Sequence, residues 1–260
     1  MELKILELSE RSAKFILSNT TAAFANGIRR AMLADVKTLA VDEVNIYNNT
    51  SVLYDEQIAL RLGLIPLVHD IDLIPYNECE TPECSECQVS LTLSGEGPKT
   101  LYSKDLISSN PSVHPADDDI PIIELEKRHE ISLEAIARMG YGRDHAKWQA
   151  GVACGYKYLT YITTDKSNLC SKCIEDCSEK LIHSIVKSIK ISKEDLFDGT
   201  LCKSCESVCD MDKIEIKEDK RAFIMSIESD GSYSAKDLIL AAGDVIKNKA
   251  IELQNLLHTI

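Results

Sequence analysis

Six cysteines fall in one short stretch. Cys170, Cys173 and Cys177 form a C-x2-C-x3-C set, and Cys202, Cys205 and Cys209 form a second set of the same spacing. Each cysteine of the first set recurs 32 positions later in the second. Thiolates two or three residues apart converge readily on one centre, and the chemistry they suit is ligation of zinc or of an iron–sulfur cluster. A segment this short cannot bury enough apolar surface to fold alone, so an inorganic group is expected to stand in for a core. A further group, Cys79, Cys84 and Cys87, lies in a polar, proline-containing loop. That spacing suits zinc, but a closed structural site needs four ligands, and the nearest histidine is His69. Cys154 stands apart and reads as a buried free thiol.

The doubled set has a close pattern match. The bacterial ferredoxin run is C-x2-C-x2-C-x3-C-P, with its fourth cysteine ligating the other cluster. Each half here supplies the second, third and fourth cysteines; the first position falls at Ser167 and at Gly199, and the proline is replaced by Ser178 and Asp210. Crosswise ligation groups Cys170 and Cys173 with Cys209, and Cys202 and Cys205 with Cys177. Each group then offers three thiolates, which suits a 3Fe-4S cluster or a 4Fe-4S cluster with one non-cysteine ligand, one or two in number. Zinc is the competing reading: Cys170, Cys173, Cys202 and Cys205 make a four-thiolate site but leave Cys177 and Cys209 unused. A segment that holds no metal is a third. Taken alone, the stretch points to a ferredoxin-like electron-transfer protein.

The rest of the chain must position these groups. Of its 260 residues 44% are hydrophobic and 27% charged, the balance of a globular protein. The net charge of −13 argues against a surface that grips nucleic-acid phosphates. No apolar run reaches the roughly 18 residues of a membrane span, and the alternating N-terminus does not read as a secretion signal. A cytoplasmic location, and thiols serving as ligands more than as disulfides, are therefore expected.

Residues 2–8 and 13–18 alternate like the arms of a hairpin across Ser9–Ser12. Asn19-Thr20-Thr21 suits the start of a helix over 20–34, in which Phe24, Ile28 and Met32 share one apolar stripe. Gly27 inside that helix costs about 1 kcal/mol relative to alanine, so its backbone is expected to approach something closely. A strand over 41–47 and a helix over 55–64 follow. Residues 108–121 read as an exposed loop whose acidic run is solvated. Ile131, Ala135 and Ile136 suggest a short helix over 131–140, ended by Gly140. The following loop carries the only tryptophan, with His145 and Trp148 expected to pack against a partner. Ser234-x-x-Asp237 opens a last helix over 235–257, in which Ile239, Ala242, Ile246, Ala250, Leu253 and Leu257 lie near a 3.5-residue repeat. No nucleophile, general base or phosphate-binding motif stands out.

The two ends carry a resemblance. NTTAAFANGIRRAML over 19–33, AVDEVNI over 40–46 and DEQIALRLGLIPL over 55–67 resemble the α-type assembly motif of multisubunit RNA polymerases. HAKWQ over 145–149 and IESDG over 227–231 are similar to its archaeal and eukaryotic branch, and the cysteine-rich insert narrows this to the archaeal D-subunit family. The resemblance covers nearly the whole chain. It implies an α+β fold: a dimerisation domain from residues 1–45 and 213–260, an inserted, mostly β domain over 46–165, and a ferredoxin-like iron–sulfur domain over 166–212. It implies a non-catalytic subunit that pairs with the small subunit L, the pair being the platform for subunits N and P and the two large catalytic subunits. Phe24, Gly27, Ile28, Met32, Ile239, Ala242, Ile246, Leu253 and Leu257 then form the partner interface, while Arg29, Arg30 and the 145–148 loop face the large subunits. Related chains carry four cysteines per cluster motif, and four for a zinc in the second domain; this chain has three in each.

Overall fold

The computed structural model describes residues 1–70, 73–75, 78–79, 87–164 and 214–259. The six cysteines of the doubled set, Cys84 and the domain expected over 166–212 lie outside the described residues. Strands β1 (Glu2–Leu8) and β2 (Ser12–Ser18) form the expected hairpin, closed by Ser9 N donating to Ser12 O at 2.8 Å. With β11 (Gly151–Thr164) and β12 (Ile214–Ser229) they build a four-stranded sheet in the order β1-β2-β12-β11.

The chain divides into two compact units. The first comprises Met1–Leu6, Phe15–Ala25 and Tyr156–Met225. Its described core holds Phe15, Ile16, Leu17, Phe223, Ile224 and Met225, and the Phe223 ring lies 5.8 Å from Tyr156 and 5.1 Å from Tyr158.

The second comprises Glu7–Lys14, Asn26–Gly155 and Ser226–Ile260. It is built on a sheet in the order β3-β10-β5-β7, from β3 (Lys37–Asn49), β5 (Gln88–Glu96), β7 (Ile107–Ser108) and β10 (Glu130–Tyr141). The central β10 runs antiparallel to both β3 and β5. Ladders β4 (Leu67–Val68) with β8 (His114–Pro115), and β6 (Lys99–Tyr102) with β9 (Pro121–Leu125), complete it. One sheet face, with Leu39 and Val41 of β3, Leu91 and Leu93 of β5 and Leu133 of β10, packs into one core with Ile58 and Leu62 of helix α2 (Asp55–Gly63). Alternation of apolar residues gives each strand one buried face.

Residues 131–140 are therefore strand, not helix. Ile131, Leu133, Ala135, Ala137 and Met139 are buried while Ser132, Glu134, Ile136 and Arg138 are not, a period of two. Ala, Leu, Met and Glu favour a helix intrinsically, but pairing on both edges overrides that preference.

The helix expected over 20–34 also differs. Helix α1 spans Ala22–Arg30, where Thr21 Oγ1 accepts from Phe24 N at 3.3 Å, and the chain then widens into a π-helical turn, Ala31–Asp35. Val36 N donates to Ala31 O at 3.1 Å, the five-residue step of a π-turn. The last helix, α3 (Ala235–His258), begins as expected: Ser234 Oγ accepts from Asp237 N at 3.1 Å. It packs on the π-turn, and Ala235, Leu238 and Ala242 of its first half are buried. Among the described residues no helix is long and apolar enough to cross a membrane.

Candidate functional site

Spaced at i, i+3 and i+7, Ala235, Leu238 and Ala242 form the face of α3 that meets its own chain. Residues 247–259 are exposed throughout, with Leu253 at 59% and Leu257 at 63%. Ile239 and Ile246 are half-buried at the margin. On α1, Phe24 is 37% exposed, Gly27 and Ile28 are half-buried, and Arg30 is exposed.

Two residues expected at a partner interface are covered by the chain itself. Met32 is 1% exposed and Ala242 0%, so both belong to this chain's own core. The π-turn is the physical reason for Met32: one extra residue per turn rotates the stripe begun by Phe24 and Ile28 away from a single face. A Cβ built at Gly27 meets nothing within 4 Å, so within the described residues its helix side is open, not tightly approached.

The loop after β10 is a brace within the chain. Trp148 is buried, closes a 3-10 turn (Ala146–Trp148), and donates through Nε1 to Arg138 O at 3.0 Å. Its indole occupies the space a Cβ on Gly140 would take, so Gly140 is required for this packing. The expectation that Trp148 packs on a partner is thus corrected. His145 Nδ1 accepts from Lys147 N at 3.1 Å, orienting the turn. Gly142 lies so close to the Leu33 carbonyl that a side chain there would overlap it, and Arg143 N donates to Ala34 O at 3.1 Å. The loop thereby takes up a carbonyl left free at the end of the π-turn.

Charge locks the same region. Asp42 receives the Lys147 ammonium and Arg138 Nη1, the latter at 3.1 Å, and Arg138 Nη2 also reaches Glu43 at 3.1 Å. Burial pushes the Asp42 carboxyl up, but the hydrogen bonds and charges of Lys147 and Arg138 outweigh it and hold the group below its ordinary range. Asp35, at the end of the π-turn, pairs with Arg143 at 3.3 Å and Lys249 of α3 at 2.7 Å. Neither network is visible in the sequence, because each partner lies far off along the chain.

The cysteines outside the doubled set divide. Cys79 and Cys87 are joined by a disulfide with Cα atoms 6.5 Å apart. Thiols in a disulfide are not thiolate ligands, so in this form the pair does not fit zinc, and among the described residues no three His, Cys, Asp or Glu side chains cluster as a metal site. Cys154 is a free, half-buried thiol, and burial pushes its pKa up, which disfavours the thiolate.

Comparison with known proteins agrees with the geometry. Residues 44–155, from within β3 to the start of β11, match the RNA polymerase Rpb3/RpoA insert domain. The DNA-directed RNA polymerase subunit Rpo3 of Methanosarcina acetivorans is 55% identical over 100% of this chain and 99% of its own length. That of Methanosarcina mazei is 56% identical over the same shares, and that of Archaeoglobus fulgidus 36% identical over 100% and 98%. With such identity along the entire length, the chain belongs to the Rpo3 family and is a subunit of an archaeal DNA-directed RNA polymerase.

Proposed function

We propose that the chain is the non-catalytic assembly platform of its polymerase, pairing with the small subunit L through the open faces of α1 and α3. The observation that carries this reading is the second half of α3. Leu253 and Leu257 are 59% and 63% exposed on a helix whose first half is packed on its own chain. Contiguous exposed apolar surface of this kind marks an interface. Phe24 and Ile28 on α1 offer a second apolar patch, and Arg29 and Arg30 follow them in chain order. In this reading subunits N and P and the two large subunits assemble on the pair, and the chain is organised as a dimerisation domain (1–45 and 213–260), an inserted β-rich domain (46–165) and a cysteine-rich domain (166–212).

The cysteine-rich domain is proposed to hold one or two iron–sulfur clusters through Cys170, Cys173, Cys177, Cys202, Cys205 and Cys209, in a structural or regulatory role. The exact 32-residue repeat of all six supports clusters over zinc, which uses four of them. Zinc at Cys79, Cys84 and Cys87 first requires reduction of the Cys79–Cys87 bond.

Expression with and without L tests the platform. A one-to-one complex with L, and aggregation of the chain without it, are expected. A monodisperse chain that ignores L contradicts the reading.

A further inference from the structure

Beyond Ala242, α3 is a lever. Leu257 lies 15 residues further on, roughly 22 Å at the rise of an α-helix, so a tilt of about 10° moves it by about 4 Å. Residues 247–259 are exposed, so burial against the described chain does not hold them. Lys249 lies within that half, and its ammonium reaches Asp35 at 2.7 Å. Asp35 is itself fixed: its side chain is 18% exposed, it also receives Arg143 at 3.3 Å, and Arg143 N is bonded to Ala34 O. Through Lys249 the lever's far half is thus tied to the π-turn, on which the same helix packs.

We propose that Asp35 is a positioning residue for subunit pairing: through Lys249 it sets the direction of the free half of α3 and so presents Leu253 and Leu257 to the partner. This rests on the pairing of α3 with L. A partner helix that must dock along about three turns accepts only a narrow range of directions, so pre-setting the lever removes part of the ordering cost of association. The device works through charge, so it weakens as salt rises.

Exchange of fluorescently labelled L out of the purified complex tests this. Asp35→Asn and Lys249→Gln are each expected to speed exchange by about two- to fivefold at low ionic strength, the scale of a partly exposed ion pair. The double variant should be no faster than the faster single one, and Asp35→Glu should restore much of the slow exchange. Raising salt should speed exchange in the parent and narrow its gap to Asp35→Asn. Lys249→Gln keeps the test valid if Asp35→Asn misfolds, because Lys249 is exposed. Parental exchange rates in both variants, or strictly additive effects, overturn the proposal while leaving the platform intact. Failure of the parent chain to bind L at all overturns both.

Discussion

Arg11 and Asp117 stand 106 residues apart in sequence, yet the guanidinium grips the carboxylate with two hydrogen bonds, 2.9 and 2.7 Å long, and reaches Ala116 O at 3.1 Å. The backbone of the same hairpin turn accepts from the end of β12 and the start of α3: Ser229 N donates to Arg11 O at 2.8 Å and Ala235 N to Glu10 O at 2.7 Å. Gly231, at φ +100°, leaves room for the guanidinium. Arg11 therefore ties the entrance of α3 to a loop whose acidic run reads, from sequence, as merely solvated.

The hydrogen bond from Arg11 holds the Asp117 carboxyl below its ordinary range, against a smaller opposing effect of burial. A depressed carboxyl stabilises the fold above its unfolded-state pKa, and this contribution disappears as pH falls through the folded-state value. Asp117→Ala should lower stability at neutral pH by no more than about 1 kcal/mol, because both side chains are nearly half exposed. In thermal melts of the complex the gap between parent and variant should close in acid. A gap that persists unchanged there counts against the pair.

Asp42 makes a harsher case. Asp42→Ala takes a carboxylate from both Lys147 and Arg138, cations that are only 13% and 11% exposed. A cost of about 1–3 kcal/mol at neutral pH is expected, for loss of a partner to largely buried donors. The carboxyl is depressed, so the difference should again shrink as pH falls through the folded-state pKa. Denaturant unfolding at two pH values reads both.

Gly140→Ala places a methyl where the Trp148 indole lies. Overpacking of this kind costs about 1–3 kcal/mol. Trp148 is the only tryptophan, so its fluorescence reports the change without ambiguity. Red-shifted emission is expected as the indole leaves its buried slot; an unshifted spectrum with parental stability contradicts the packing.

How much of this was legible beforehand depends on range. The N-terminal hairpin, α2 and the Ser234 cap rest on neighbouring residues, and the sequence pattern located each. The strand over 130–141 was hidden because its residues favour helix locally, while the strands that capture it lie some 40 and 90 positions away. Met32 and Ala242 belong to stripes that pattern reading found, but a stripe does not say whether the same chain or another covers it. The networks around Asp42, Asp35 and Arg11 join residues that no local pattern connects. The disulfide between Cys79 and Cys87 ran against the expectation of reduced thiols, which rested on compartment alone.

For the cysteines, anaerobic preparation of the complex should give iron and acid-labile sulfide in cluster proportions, with an electron paramagnetic signal separating 3Fe-4S from 4Fe-4S. Cys202→Ser with Cys205→Ser should remove the cluster that these two hold with Cys177, about half of the iron where two clusters are present. Stoichiometric zinc without sulfide overturns the cluster reading. Zinc that is taken up only after reduction, and lost in Cys87→Ser, would instead identify the Cys79 loop as its site.

The platform reading turns on α3, and Leu253→Asp with Leu257→Asp probes it most directly. Both side chains are more than half exposed, so the fold should survive, whereas a charge at each position of a buried interface costs several kcal/mol. Analytical ultracentrifugation of the chain co-expressed with L is the deciding measurement. A one-to-one heterodimer is expected for the parent, and its loss in the double variant. A double variant that sediments as the same heterodimer contradicts it.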